Sequence, residues 1–273
     1  MDRFARHLQF RGRKLRLADW NAASTPGWKR KDQAGERLAR NLALIDSEQY
    51  KLFAGGTRSL LIVLQGMDTA GKDGLIRNVL TVFNPQGCRV WPFKVPTAEE
   101  ASHDFLWRIH QAAPPRGAVS VFNRSHYEDV LVVRVHELVP KSEWSRRYQV
   151  INEFEKHLHR QGAQVLKFFL HVSRKEQLAR LTARLDDPLK RWKFSAGDIS
   201  ERTRWNDYQR AYEDALGRCN TRHAPWHIIP ADHKWYRDLA VSEILAETLT
   251  SMHLKMPEVK VNVRRLREQL RKA

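Results

Sequence analysis

The sequence predicts an α/β fold in three layers, a parallel five-stranded sheet held between helices. Three observations lead there. Short apolar runs recur along the 273 residues and alternate with segments whose apolar residues fall at helical spacing. Clusters of Gly, Pro and Ser separate the two kinds of segment. Alternating strands and helices imply parallel pairing with both sheet faces covered. The length suits one α/β domain with extensions, and a hydrophobic content of 42% with nine Trp can fill a sizeable core.

Met1 to Asn21 is basic with scattered apolar residues (Phe4, Leu8, Phe10, Leu15, Leu17). It reads either as an arm that packs on the body or a neighbouring subunit, or as a partly disordered terminus. Pro26-Gly27 breaks it. Asp32 to Phe53 is an amphipathic helix that Gly55-Gly56 ends. Leu60 to Leu64 is the first buried strand, and a helix with Leu75, Ile76, Val79, Leu80 and Phe83 on its apolar face starts at Lys72. Cys88 to Val95 is the second strand. Thr97-Ala98-Glu99-Glu100 has capping-box form and opens a helix running through His110. Ala118 to Phe122 is the third strand, Ser142 to Arg160 a long helix, and Val165 to Val172 the fourth strand. Ser173 to Glu176 caps the next helix, Trp226 to Pro230 is the fifth strand, and Trp235 to Met252 the last long helix. The expected organisation is a basic arm and helix over 1–58, a core domain over 59–252, and a basic tail over 253–273.

The chemistry concentrates where the first strand meets its helix. Gly66 and Gly71 bracket four residues and Lys72 follows, which is phosphate-loop spacing. The glycines let the N–H groups of Gly66, Met67, Thr69, Ala70, Gly71, Asp73 and Gly74 turn toward a phosphate, and Lys72 adds a cation at a helix start. A glycine-containing turn without a ligand is the bland alternative; strand, loop, lysine and helix in register argue against it. Asp73 stands where a Ser or Thr hydroxyl would normally reach Mg²⁺, and Asp68 puts a carboxylate inside the loop. Carboxylates beside bound phosphates repel them unless a divalent cation lies between, so Asp68 and Asp73 are the candidate Mg²⁺ ligands.

The third strand runs into Asn123-Arg124-Ser125-His126-Tyr127-Glu128. A second metal-organising group belongs at that strand end. Asn123 takes the usual place of Asp, Glu128 could supply the missing charge, and Arg124 would face phosphate, with Arg134 farther along. Taken alone, this segment is also an ordinary helix start with solvated charges. Arg184, Lys190, Arg191 and Lys193 crowd a segment between two helices that reads as a lid over about 184–215, or equally as a solvated loop. Trp205, Tyr208 and Tyr212 beyond it read as packing residues. No His/Cys set has zinc spacing, and His103, His110 and His126 read as structural or surface.

Net charge +17 and a pI of about 10.2 call for a polyanionic partner. Two cysteines, Cys88 and Cys219, make no disulfide framework and fit a reducing compartment. No signal peptide and no run of membrane-spanning length is visible, so a cytoplasmic protein without a membrane partner is expected.

Together these segments resemble the polyphosphate kinase 2 family from about Arg37 to about Thr250. The resemblance rests on Leu64–Gly74, Asn84-Pro85-Gln86-Gly87, Phe122–Glu128, the Asp187-Pro188 to Ser195 lid, and Ala224-Pro225-Trp226. It implies a phosphate-loop kinase fold and reversible, Mg²⁺-dependent phosphoryl transfer between inorganic polyphosphate and nucleoside mono- or diphosphates. Carried over by position, Lys72 and the loop amides resemble the groups that hold phosphates at the transfer point, Asp68 the Mg²⁺ organiser, and Arg124 and Arg134 phosphate contacts. Arg184, Lys190 and Lys193 would close from the lid, and Lys94 would line the polyphosphate path. Asn123 and Glu128 fall at the nucleotide side. Glu128 resembles the form found in members that accept monophosphates, which implies AMP as well as ADP. Asn123 departs from the Asp of many members, so whether Asn123 or Glu128 completes the metal set stays open. The family also implies a homodimer or homotetramer. Two rivals remain: an ATP-dependent nucleoside monophosphate kinase on the same fold, and a nucleic-acid-binding protein that uses the loop as a switch. No recognised DNA- or RNA-binding module supports the second.

Overall fold

The computed structural model describes residues 4–12, 14–258 and 261–273. Met1–Arg3 and Arg13 of the expected arm and Val259–Lys260 of the expected tail lie outside the described residues. In chain order the elements are α1 (Ala5–Leu8), α2 (Lys31–Gly55), β1 (Ser59–Gln65), α3 (Lys72–Asn78), β2 (Cys88–Pro92), α4 (Ala98–Ser102), α5 (Trp107–Ala112) and β3 (Val119–Asn123). There follow α6 (Val132–Val135), α7 (Lys141–Arg160), β4 (Ala163–His171), α8 (Arg174–Asp186), α9 (Ala196–Thr203), α10 (Trp205–Arg218), β5 (Trp226–Pro230), α11 (Lys234–Ser251) and α12 (Val263–Leu270).

The five strands form one parallel sheet in the order β2-β3-β1-β4-β5. β1 sits at its centre, with Leu60 opposite Val119 of β3 and Gln164 of β4. Every residue of β1 is buried, as its unbroken apolar run requires of a parallel strand covered on both faces. Burying its five aliphatic side chains contributes about 1.5–3 kcal/mol each. One group of helices on the sheet is α2, α3 and α11; another is α6, α7 and α10. α11 is buried along most of its length and is tied to α2 by Arg37 on Glu243 (2.5 and 2.9 Å) and by Asn41 on Ser242 (3.0 Å). Gly56, at φ +57°, ends α2 in the left-handed conformation.

The basic arm packs on its own body. Leu8, Phe10, Leu15 and Leu17 enter the core, and Phe10 N–H donates to Trp226 O (2.9 Å) beside β5. At the other terminus, no residue of α12 is buried.

Three expected elements differ. The helix expected from Thr97 through His110 is two short helices. Thr97 and Glu100 form the capping box of α4, but the Asp104 carboxylate accepts the N–H of Leu106 (2.9 Å) and starts a second turn there. β2 stops at Pro92 rather than Val95, because its partner β3 ends at Asn123, whose carbonyl takes the last ladder bond from Phe93 N–H (3.0 Å). α3 stops at Asn78 although the apolar spacing continues; the β-branched Val79, Thr81 and Val82 leave the helix for a 3-10 turn at Leu80–Val82.

Candidate active site

β1 delivers the chain at the carboxyl edge of the sheet into a loop that lies hard against β4. Gly66 has φ +153°, and a Cβ there would stand 2.7 Å from Leu170 O and 3.0 Å from Ala70 Cβ. Gly71, at φ +106°, precedes α3; a Cβ there would meet the Arg237 guanidinium at 2.0 Å. Neither position has room for a side chain, and both need backbone torsions that favour glycine.

Each carbonyl of the loop from Gly66 to Ala70 is held by a side chain. The Lys72 amine donates to Gly66 O (2.7 Å) and lies 3.4 Å from Met67 O. The Gln177 amide donates to Asp68 O (3.2 Å). Arg180 donates to Thr69 O (2.9 Å) and Ala70 O (3.1 Å) through Nη1, to Ala231 O and Asp232 O through Nη2, and to Glu176 through Nε. All five Arg180 donors are thereby used. The Ala70 N–H, expected to turn toward phosphate, instead donates to Met67 O (3.0 Å) within the loop. With the carbonyls engaged, the other loop amides and the first N–H groups of α3, which have no intrahelical acceptor, can take an anion.

The end of β3 closes over this loop. Asn123 donates its amide to Asp73 Oδ1 (2.9 Å), and Arg124 donates through Nη2 to Asp68 Oδ1 (2.9 Å). Arg124 itself sits at φ +64°, and its Nη1 lies 3.9 Å from Glu128 Oε2. Gln65 at the end of β1 clasps the same segment, donating to Ser125 Oγ (3.0 Å) and Glu128 Oε1 (3.1 Å). Beneath it lies a buried polar post. Lys167 of β4 donates to Glu155 Oε2 (2.7 Å), Tyr127 OH (2.8 Å) and Cys219 O (2.7 Å), and Glu155 accepts from Tyr127 (2.8 Å), with Lys167 and Glu155 fully buried.

Electrostatically the mouth is short of positive charge. Lys72 and Arg124 face three carboxylates, Asp68, Asp73 and Glu128. Burial, then the Arg124 guanidinium, push the Lys72 amine down to about 8, while Asp68, Glu128 and Asp73 pull it back up. Glu128 first, then Asp68, raise the Arg124 pKa against the effect of burial. A phosphate entering such a site needs a further cation. The oxygen donors present suit a hard divalent ion that keeps waters and binds through one or two carboxylates plus phosphate oxygens. Among the described residues no cluster of three His, Cys, Asp or Glu could hold a metal by itself.

The remaining candidates are spread more widely. In the lid segment, Lys193 comes within 3.9 Å of Asp73 Oδ2, bringing one cation to the loop. Lys190 pairs locally with Asp187 (2.5 Å), Arg191 donates to Leu185 O (2.7 Å), and Arg184 is half-buried on α8. Arg134, on α6, is engaged elsewhere: it donates to Asp214 (2.6 Å) and Tyr148 (3.2 Å), stacks over Trp144, and lines a groove of about 650 Å³ with Lys141, Arg204 and Arg210. Lys94 is exposed beyond β2, its carbonyl held by Arg108 (2.9 Å). Trp205, Tyr208 and Tyr212 are buried packing residues, as expected. The expectations passed over Gln65, Gln177, Arg180 and the Lys167–Glu155 pair. Lys167 carried a signal, a lysine inside an otherwise apolar strand run. Arg180 carried none, because its partners are backbone carbonyls 110 and 111 residues away.

The sheet order, the glycine loop at the end of β1 and the lysine at the helix start define a phosphate-loop kinase fold. The chain belongs to the polyphosphate kinase 2 family, whose model matches residues 28–257. It is 50% identical over 228 residues to an AMP/ADP-polyphosphate phosphotransferase of Meiothermus ruber, covering 84% of this chain and 85% of that protein. It is 44% identical to an ADP-polyphosphate phosphotransferase of Rhodopseudomonas palustris, covering 92% of each. The crystal structure of polyphosphate kinase 2 from Arthrobacter aurescens superposes with a TM-score of 0.95 at 43% identity, over 99% of this chain and 97% of that one.

Proposed function

We propose that the protein moves a phosphoryl group between inorganic polyphosphate and nucleoside mono- and diphosphates, taking AMP to ADP and ADP to ATP reversibly, with Mg²⁺. The observation that carries this reading is the meeting of Arg124 and Asp68 over the loop that holds Lys72, which sets a phosphate-type cation and a metal-type carboxylate at one mouth. The names of the relatives and the net charge of +17 support polyphosphate as the donor.

In this reading the acceptor phosphate oxygen attacks the terminal phosphorus of polyphosphate in line, and the shortened chain leaves. The acceptor is already ionised near neutral pH, so no strong general base is required. The loop amides of residues 66–74, apart from that of Ala70, and Lys72 fix the phosphates, and Arg124 stabilises charge on the equatorial oxygens. Asp68 and Asp73 would hold Mg²⁺, with Glu128 or Asn123 completing the set; when bound, the ion offsets the carboxylates and neutralises phosphate charge. Arg184, Lys190 and Lys193 close from the lid over residues 184–215 and exclude water. Arg134 and Lys94 contact the more distant polyphosphate chain. Glu128 favours monophosphate acceptors. A cytoplasmic homodimer or homotetramer completes the proposal; among the described residues no helix is long and apolar enough to cross a membrane.

The test is nucleotide formation from AMP, ADP and GDP with polyphosphate and Mg²⁺, beside a Lys72→Ala control. ATP from both AMP and ADP, abolished in the control, is the expected result. No product with polyphosphate, but ADP from AMP plus ATP, moves the protein to the ATP-dependent kinases.

A further inference from the structure

The five carbonyls of the loop from Gly66 to Ala70 are held by three side chains of different standing. Lys72 holds Gly66 and Met67 from within the loop itself. Arg180 holds Thr69 and Ala70 and, with the same guanidinium, the carbonyls of Ala231 and Asp232 just beyond β5, so those two loop residues are fixed to the body. Asp68 alone depends on Gln177, one helical turn before Arg180 on α8. Gln177 is 2% exposed, and its other amide atom is not free: Oε1 accepts from Arg202 Nη1 at 2.6 Å, on α9. Arg202 can only donate and Asp68 O can only accept, so the orientation of the amide is settled by its two partners. Arg202 also donates to Arg174 O (3.0 Å) at the start of α8. α9 belongs to the 184–215 segment, so a continuous hydrogen-bonded path runs from that segment through one buried amide to the backbone of Asp68, whose carboxylate meets Arg124.

We propose that Gln177 is a positioning residue that couples the lid to the loop, setting Asp68 according to where Arg202 stands. The proposal rests on the kinase reading above but names a role that reading does not contain. When α9 moves, Thr69 and Ala70 stay with the body, and the one loop peptide whose support reaches the lid is that of Asp68. Closure of the lid therefore reaches the backbone of Asp68 through Gln177, a path separate from the direct approach of Lys193 to the Asp73 carboxylate at 3.9 Å.

A double-mutant cycle tests it. Gln177→Met keeps length and volume but removes both hydrogen bonds; Arg202→Met removes only the lid side. Each single variant is expected to lower kcat roughly tenfold with little change in the KM for polyphosphate, and the double variant to be no worse than the poorer single. A second readout is independent of turnover: tryptic cleavage at Lys190, Arg191 and Lys193. Polyphosphate alone should slow cleavage in the wild type, and each single variant should lose most of that protection while still binding polyphosphate. Additive losses in kcat, or protection by polyphosphate unchanged in both variants, overturns the coupling. If the wild type uses ATP rather than polyphosphate, the same cycle and the same protection experiment are run with ATP and AMP. Failure of the donor assignment and failure of the coupling therefore give different results.

Discussion

Exchanging Lys72 for Arg while scanning pH tests how the loop holds its ligand. The Lys72 amine donates to Gly66 O at 2.7 Å and is pushed down to about 8 by burial and by Arg124. The neutral amine is the form above that value. Taking a value of about 8, the free enzyme carries a charged Lys72 in about nine molecules of ten at pH 7 and in about one of ten at pH 9. If the charged form is the one that receives phosphate, kcat/KM falls about tenfold between pH 7 and pH 9, with a basic limb near 8. Bound phosphates are anionic and favour the charged amine, so the limb in kcat lies higher than the limb in kcat/KM. Arginine stays protonated across this range, so Lys72→Arg loses the limb even though its geometry lowers the rate. The assay is initial rate of ATP formation from ADP and polyphosphate at constant ionic strength from pH 6 to pH 10. A basic limb that survives unchanged in Lys72→Arg refutes the reasoning, as does a wild-type kcat/KM that stays flat to pH 10.

Two further substitutions probe what supports the site. Gly66→Ala forces a Cβ to within 2.7 Å of Leu170 O at φ +153°; expected are a strain of about 1–3 kcal/mol, seen as a lowered Tm, and a loss of activity larger than that strain explains, because the loop must leave β4. Lys167→Met strands the Glu155 carboxylate in a fully buried place and should cost about 3–5 kcal/mol in chemical denaturation, whereas Lys167→Met combined with Glu155→Leu should recover much of it; equal stabilities of the single and double variants would falsify the pairing.

The strands and caps were legible because their signals are local. β5 runs over Trp226–Pro230 as its apolar residues indicate, Ser173 caps α8 by accepting the N–H of Glu176, and Asp198 accepts the N–H of Ser195 at the start of α9. The errors arose where tertiary partners overrode a continuing local pattern. Within Cys88 to Val95 the local hint of an end is Pro92, which has no N–H to donate, and the end itself is set by Asn123 of the neighbouring strand. Nothing between Thr97 and His110 interrupts the helical period, because Asp104 acts through a local turn, its carboxylate taking the Leu106 N–H two residues on. In the site, the spacing of Gly66, Gly71 and Lys72 placed the loop, and the polar run after β3 placed Arg124 and Glu128 beside it. The residues that hold the loop in shape were invisible for a physical reason. A side chain bonded to a backbone carbonyl needs only reach and a donor, so its partner leaves no mark in the sequence.

The same distinction sorts the cations of this basic chain. Arg180 has every donor committed, and the Lys167 amine has three acceptors; neither has a free hydrogen bond for a phosphate. The mouth holds Lys72 and Arg124 against Asp68, Asp73 and Glu128, a local balance of one negative charge, and Lys193 at 3.9 Å from Asp73 brings it only to neutrality. A mouth so balanced does not by itself draw in a polyanion, which leaves long-range attraction to the other charges behind the net +17. Many of these are exposed and half-committed, such as Lys190 on Asp187 and Arg210 on Asp207, pairs that solvent screens and an incoming phosphate chain can displace. Attraction and transfer therefore fall to different sets of residues: the surface gathers the chain, and the near-neutral mouth accepts its end only together with a further cation.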